Sequence, residues 1–396
     1  MRVVQFGLRY SPNLGDGVIA ECIAYGIKAR RPDATVDHVD LSGRTDFGEV
    51  VVANRERILA VIDRLPLALR QALVSWRLSR LLDRVAPRWD ETVRGADLAV
   101  VGGGQIFADA NLNFPLKIAR ASDLLARAGI PTVVYAVGVA RNWTPKGTAL
   151  FADVNKTDLR MVGVRDPGSD AAWRAQMPGG PEPELTLDPG LLAAETYGTA
   201  SGTEGLGLCI TDFSLLAHHA TGSVAGAAQS GRDFYISIAE AAAARGLTVC
   251  LFCNGAAEDA ALLADVAADP RIRSLRATGA VRVPETPTTP TELVAIIAGC
   301  AAVVAHRLHA CIVAYSYRRP IVGLGWDAKL ESFFDTAGVA AHFSKDPDLT
   351  PAQIADMAKA AIADGIDAPH HEALIARAWA GIDRVLGCAT GSTGAA

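Results

Sequence analysis

Residues 3–30 read VVQFGLRYSPNLGDGVIAECIAYGIKAR, and this stretch decides the fold. Val3-Val4-Gln5-Phe6-Gly7 is a short apolar run of strand length, and Asn13-Leu14-Gly15-Asp16-Gly17 is a loop of turn formers. From Gly17 to Arg30 the pattern is helical, with Asp16 placed to cap it. A strand, a glycine loop and a helix make half of a βαβ unit, whose crossover is right-handed.

The chain repeats that unit outward from here. Val36–Leu41, Leu98–Val101 running into Gly102-Gly103-Gly104, Thr132–Val137 and Met161–Val164 are the next strand candidates. Runs this continuously apolar suit strands buried on both faces of a parallel sheet. The pattern lapses into Gly, Ser and Thr between Thr196 and Glu204, then restarts at Leu206–Ile210. Thr248–Cys253, Ile272–Leu275, Ala302–Ala305 and Ile321–Leu324 follow as strands, with helical patterns between them. The expectation is an α/β protein of two doubly wound Rossmann-like domains, residues 1–198 and 205–345, facing across a cleft. Two helices over 350–388 and a frayed tail at 389–396 close the chain. Ligands in such sheets bind beyond the carboxyl ends of the strands.

Composition bounds the function. Of 396 residues, 50% are hydrophobic and 20% charged, which excludes a disordered or coiled-coil chain. A net charge of −5 gives no footprint for nucleic acid. The start shows no cleavage pattern, and the longest apolar run, Leu293–Ala305, is too short for a bilayer, so a cytoplasmic location is expected. Seven scattered cysteines suit a reducing compartment, where the sequons at Asn142 and Asn155 stay unused. One segment breaks the alternation. Residues 55–94 carry nine arginines against five acids, interleaved with Leu, Val and Trp. That pattern reads as the solvated face of packed helices, or as a basic amphipathic surface that docks on anionic lipid, at the inner membrane face, or on a lipid-linked glycan.

The chemistry-bearing motifs sit at strand ends. In the first loop Asn13, Gly15 and Asp16 offer polar groups on a closely approachable backbone, without the spacing of a dinucleotide or P-loop motif. Gly103 and Gly104 leave the backbone bare for a ligand. Val164-Arg165-Asp166 presents a guanidinium, which binds carboxylate or phosphate, or pairs with a nearby Asp. Val304-Ala305-His306-Arg307-Leu308-His309 places two histidines and an arginine at a helix start, a place that favours anions. Lys329 follows the next strand. No third ligand with metal spacing accompanies His306 and His309, so no metal is expected, and Cys250-Leu251-Phe252-Cys253 reads as buried thiols. His218-His219 is a weaker loop candidate for substrate contact.

Asn13-Leu-Gly-Asp16, the triple glycine, Val-Arg165-Asp166, Leu187-Asp188-Pro189, Arg307-Leu-His309 and Asp327-Ala-Lys329 together resemble the polysaccharide pyruvyl transferase family. The motifs run in the family's order over residues 3–338. The resemblance implies a GT-B-like fold and an enzyme that transfers the pyruvyl group of phosphoenolpyruvate to a sugar as a ketal, with no further cofactor. It places Arg165, Arg307, His309 and Lys329 at the phosphoenolpyruvate site, and Asn13 and Asp16 in a loop near donor or acceptor. Two positions depart from the family: Gly163 and Ala305 stand where Ser is usual, and His306 where a small residue is usual. The acceptor, a sugar or a lipid-linked glycan, stays open. A three-carbon dianion needs several fixed cations, and His309, with His306 second, is the expected proton donor because imidazole titrates near working pH. Two rivals remain: a GT-B glycosyltransferase with a nucleotide-sugar donor, and a non-catalytic sugar-binding relative.

Overall fold

The structure, a computed structural model, describes residues 1–48, 66–200, 203–213, 216, 224–226 and 231–390. His218-His219 and the 55–65 part of the arginine-rich segment lie outside the described residues.

Two six-stranded parallel sheets form. The first contains β1 (Arg2–Gly7), β2 (Thr35–Asp40), β3 (Leu98–Phe107), β4 (Pro131–Val139), β5 (Asp158–Val164) and β6 (Pro183–Leu185), in the order β2-β1-β3-β4-β5-β6. The second contains β7 (Leu206–Ile210), β8 (Val249–Cys253), β9 (Val281–Arg282), β10 (Ala302–Ala305), β11 (Ile321–Leu324) and β12 (Phe343–Ser344), in the order β12-β11-β10-β7-β8-β9. In each sheet the strand order reverses once, between β1 and β3 and between β7 and β10. Those two reversals are the crevices where doubly wound sheets take ligands. The inner strands β1, β3, β4, β7, β8, β10 and β11 are buried on both faces along nearly their whole length, as the unbroken apolar runs require.

The chain divides into two compact units. The first comprises Met1–Ser11, Ile19–Asp188 and the chain from Trp379 onward; the second comprises Pro12–Val18 and Pro189–Ala378. The break at Asp188 precedes the Gly/Ser/Thr lapse, because Leu191, Leu192 and Ala193 are buried and do not serve as linker. The end of the last helix, Ala368–Thr390, packs on the first unit: a Cβ on Gly381 would meet Tyr135, and one on Gly26 would meet Ile382.

Three local expectations are corrected. Ile272–Leu275 is not a strand but part of the helix Pro270–Ala277, started by Asp269, whose side chain accepts from Arg271 N–H, and by Pro270 in the first turn. Asp16 is not the cap of the first helix. That helix starts earlier, at Leu14, and Asp16 lies in its first turn, where a carboxylate still complements the helix dipole. The third concerns Gly103 and Gly104, which do not form an open strand end. They lie buried inside β3 with φ of 80° and 77°, and a Cβ at Gly103 would sit 2.6 Å from Ile19. At Gly103 protein fills that bare backbone, which allows the helix Leu14–Arg30 to approach β3 closely.

Candidate active site

In the second unit the successive neighbours β11, β10, β7 and β8 carry several sets of bonded polar groups at their carboxyl ends. The loop Pro12–Val18 joins one of them. Leu14 N–H donates to Asn254 O at 3.0 Å, and Asn254 Nδ2 donates to Asn13 Oδ1 at 3.3 Å. Asn254 is buried just past β8, and Gly255 after it has φ of 89°, a turn that brings its backbone against Leu14 and Pro12.

His309 lies in the first turn of the helix Leu308–Ser316, where backbone N–H groups are unpaired within the helix. Its ring rests on Gly15: a Cβ there would lie 2.6 Å from His309 Cβ and Nδ1. The glycine of the first loop therefore serves as the seat of an imidazole from a segment almost three hundred residues away.

Arg307 precedes that helix, and Asp259 fixes it. Its Nε donates to Asp259 Oδ2 at 3.0 Å and its Nη2 at 2.5 Å. The other carboxylate oxygen accepts Asp212 N–H at 2.8 Å, beyond the end of β7. The Asp259 side chain is 0% exposed, and burial lifts its carboxyl above the ordinary value while the Arg307 guanidinium pulls against that lift. Next to it Thr211 is buried, and its Oγ1 has no hydrogen-bond partner among the described residues. Asp259, Asn254 and Thr211 are the site residues that sequence reasoning missed.

The structure places His306 in the core, 0% exposed, and this corrects the expectation that it stands second in line for proton transfer. Its Nε2 donates to Ala225 O at 3.3 Å, which leaves Nδ1 to accept from Tyr235 Oη at 2.9 Å. Burial holds it neutral, its pKa lowered to about 4. It packs edge-on to Phe213 and Tyr235, and its carbonyl accepts Trp326 Nε1–H at 2.7 Å. Trp326 in turn flanks Lys329, whose Nζ is 5.4 Å from the ring centroid and 2.8 Å from Asp327 Oδ2. Asp327 caps the helix Ala328–Thr336, so this lysine stands at a helix start.

Arg165 belongs to the first unit. It is nearly buried, its Nη1 donating to Asp188 Oδ2 at 3.2 Å, and it lies on the bare backbone of Gly138. Its Nε has no hydrogen-bond partner among the described residues. Asp166 is the cap of the helix Pro167–Gln176, so the Val-Arg-Asp motif divides its labour between a cation and a helix start. A Cβ at Gly163 would fall 2.8–2.9 Å from the Thr186 methyl and hydroxyl. Thr186 therefore puts a hydroxyl beside the place where a Ser side chain would stand.

Among the described residues no three His, Cys, Asp or Glu side chains gather as a metal site. Cys250 and Cys253 are buried free thiols. No helix among the described residues is long and apolar enough to cross a membrane.

The family model for polysaccharide pyruvyl transferase matches residues 13–328. No match was found among curated proteins. In fold the chain is similar to the UDP-GlcNAc 2-epimerase of Methanocaldococcus jannaschii in complex with UDP-GlcNAc and UDP, with a TM-score of 0.51, 8% identity, and coverage of 91% of this chain and 93% of that one. A UDP-N-acetylglucosamine 2-epimerase from Rickettsia bellii gives 0.49 and 10%, covering 98% and 96%. Spinosyn rhamnosyltransferase SpnG gives 0.40 and 12%, covering 98% and 96%. At such identities the first likeness bears on fold alone, and that fold is of GT-B type with two Rossmann-like units.

Proposed function

The chain belongs to the polysaccharide pyruvyl transferase family, and from that premise we propose that it moves the pyruvyl group of phosphoenolpyruvate onto two hydroxyls of a sugar or glycan, closing a pyruvate ketal. The observation that carries the reading is the grouping of Arg307, His309 and Lys329 at the ends of the paired strands β10 and β11, beside two helix starts. A small dianion needs fixed cations and polarised N–H groups, with no room required for a base and ribose. Arg165, in the first unit, is a nearly buried guanidinium paired with Asp188.

In the proposed reaction His309 gives its proton to the methylene carbon of the donor, and positive charge develops at the adjacent carbon. One sugar hydroxyl adds there and loses its proton. The second hydroxyl displaces phosphate, which carries away the bonding pair and takes up that hydroxyl's proton, and the ring closes. Proton transfer is assigned to His309 and withdrawn from His306, whose two nitrogens are engaged and whose burial keeps it neutral. His306 instead holds Trp326, and through it the setting of Lys329.

Replacing His309 by Ala is expected to abolish phosphate release while the thermal transition stays near native; native turnover would remove His309 from the chemistry. A thermal-shift series with phosphoenolpyruvate and nucleotide sugars reads the donor class, and stabilisation by a nucleotide sugar alone would favour glycosyl transfer.

A further inference from the structure

The helix Leu67–Val93 is apolar on two opposite faces in its two halves. Leu78, Leu82, Val85, Trp89 and Val93 are buried in the first unit's core, where Trp89 meets Phe6 edge-on. In the other half, Leu69 is 56%, Leu73 41% and Trp76 56% exposed. Only two further large hydrophobics, Leu185 and Ile362, are exposed to a comparable degree among the described residues. Three of five thus fall within eight residues.

Helical geometry makes this a stripe. At about 100° per residue, Leu69, Leu73 and Trp76 span an arc of about 60°, and the core-facing residues lie about 180° from them. The exposed stripe is therefore not an overflow of the core. By the same count, Arg80 lies on the stripe itself, and Arg70, Arg77, Arg84 and Arg88 lie within about 60° of its edge on one flank. Arg80 stacks over Trp76, 4.2 Å from its ring centroid. The helix's acids are partly spent elsewhere: Asp83 pairs with Arg120 and Asp90 with Arg127.

We propose that this helix docks the protein on an anionic bilayer, with Leu69, Leu73 and Trp76 entering the interface and the flanking arginines meeting headgroup phosphates. Leu and Trp on one line with cations beside them is the pattern of a helix lying in the interfacial plane. The charge complementarity selects a negatively charged lipid surface over a neutral one, with each arginine near the surface contributing about fivefold in partition. The proposal is independent of the donor and of the reaction.

The test is co-sedimentation of the full chain with vesicles of phosphatidylglycerol mixed with phosphatidylcholine, and with phosphatidylcholine alone. The wild type is expected to follow the anionic vesicles, less so as salt rises. Joint replacement of Leu69, Leu73 and Trp76 by Ser, or of Arg77, Arg80 and Arg84 by Gln, is expected to lower partition on the order of a hundredfold. All six positions face solvent, so circular dichroism and melting should stay native. Equal binding to neutral vesicles, or unchanged partition in either variant, would overturn the proposal. So would concentration-dependent dimerisation that the Ser variant abolishes, since a second copy of the chain would then cover the stripe.

Discussion

Gly15→Ala puts two physical effects in opposition. In a helix an Ala in place of Gly ordinarily stabilises by about 0.5–1 kcal/mol, and Gly15 lies in the first turn of the helix Leu14–Arg30 without a positive φ. Propensity alone predicts a more stable protein. Packing predicts the reverse, because the new methyl would lie 2.6 Å from His309 Cβ and Nδ1 and 2.7 Å from Cγ. Ordinary carbon contacts sit at about 3.5–4.0 Å, so the overlap is on the order of 1 Å. Rotation about χ1 does not relieve it, since His309 Cβ is fixed to its own backbone. Overpacking of this kind costs about 1–3 kcal/mol, which outweighs the propensity gain and leaves a net loss of about 1–2 kcal/mol. For a unit of this size that lowers the melting temperature by about 3–6 °C. Displacing the imidazole by about 1 Å should also cost turnover on the order of a hundredfold. Scanning calorimetry and phosphate release from phosphoenolpyruvate with a sugar acceptor read the two effects. A melting temperature at or above native, with native turnover, would refute the seat of His309 on Gly15.

Asp259→Asn leaves the Arg307 guanidinium without its counter-charge and should destabilise by about 3 kcal/mol in urea titration; an unchanged midpoint would show the pair to be dispensable. His306 binds a proton far more weakly folded than unfolded, its pKa lowered from 6.5 to about 4 by burial. The stability this represents is present above pH 6.5 and is lost as pH falls toward 4, up to about 3 kcal/mol. His38, lowered to about 3, adds to the same loss, so the comparison is between wild type and His306→Asn: the variant should lose less on acidification, and an identical pH profile would contradict it. Arg165→Gln leaves the nearly buried Asp188 carboxylate without its counter-charge and should destabilise by about 3 kcal/mol in urea titration; an unchanged midpoint would show that pair to be dispensable.

How far the sequence was readable follows from what each feature depends on. β7, β10 and β11 matched their expected bounds because they are short apolar runs buried on both faces, a local signal. Ile272–Leu275 looked the same but lies behind Asp269-Pro270, a helix start whose punctuation outweighs the apolar content of four residues. Gly102 and Gly103 do meet a close approach, yet whether ligand or protein approaches is decided by Ile19 and Tyr135, which no local pattern reveals. The same holds at the site. His306 and His309 are three residues apart and chemically alike, and Tyr235, 71 residues from His306, settles that one is packed and neutral. Asp259, in the first turn of the helix Ala257–Ala268, has the sequence context of any dipole-complementing acid. Only the fold shows it buried beneath Arg307.

The central claim is tested most directly by weighing the products formed from phosphoenolpyruvate and a panel of glycosides bearing neighbouring hydroxyl pairs. The account predicts one glycoside carrying a pyruvate ketal, one phosphate released per ketal formed, and neither product from the His309→Ala protein. A glycoside enlarged by a sugar residue at the expense of a nucleotide sugar, with phosphoenolpyruvate left intact, would contradict it.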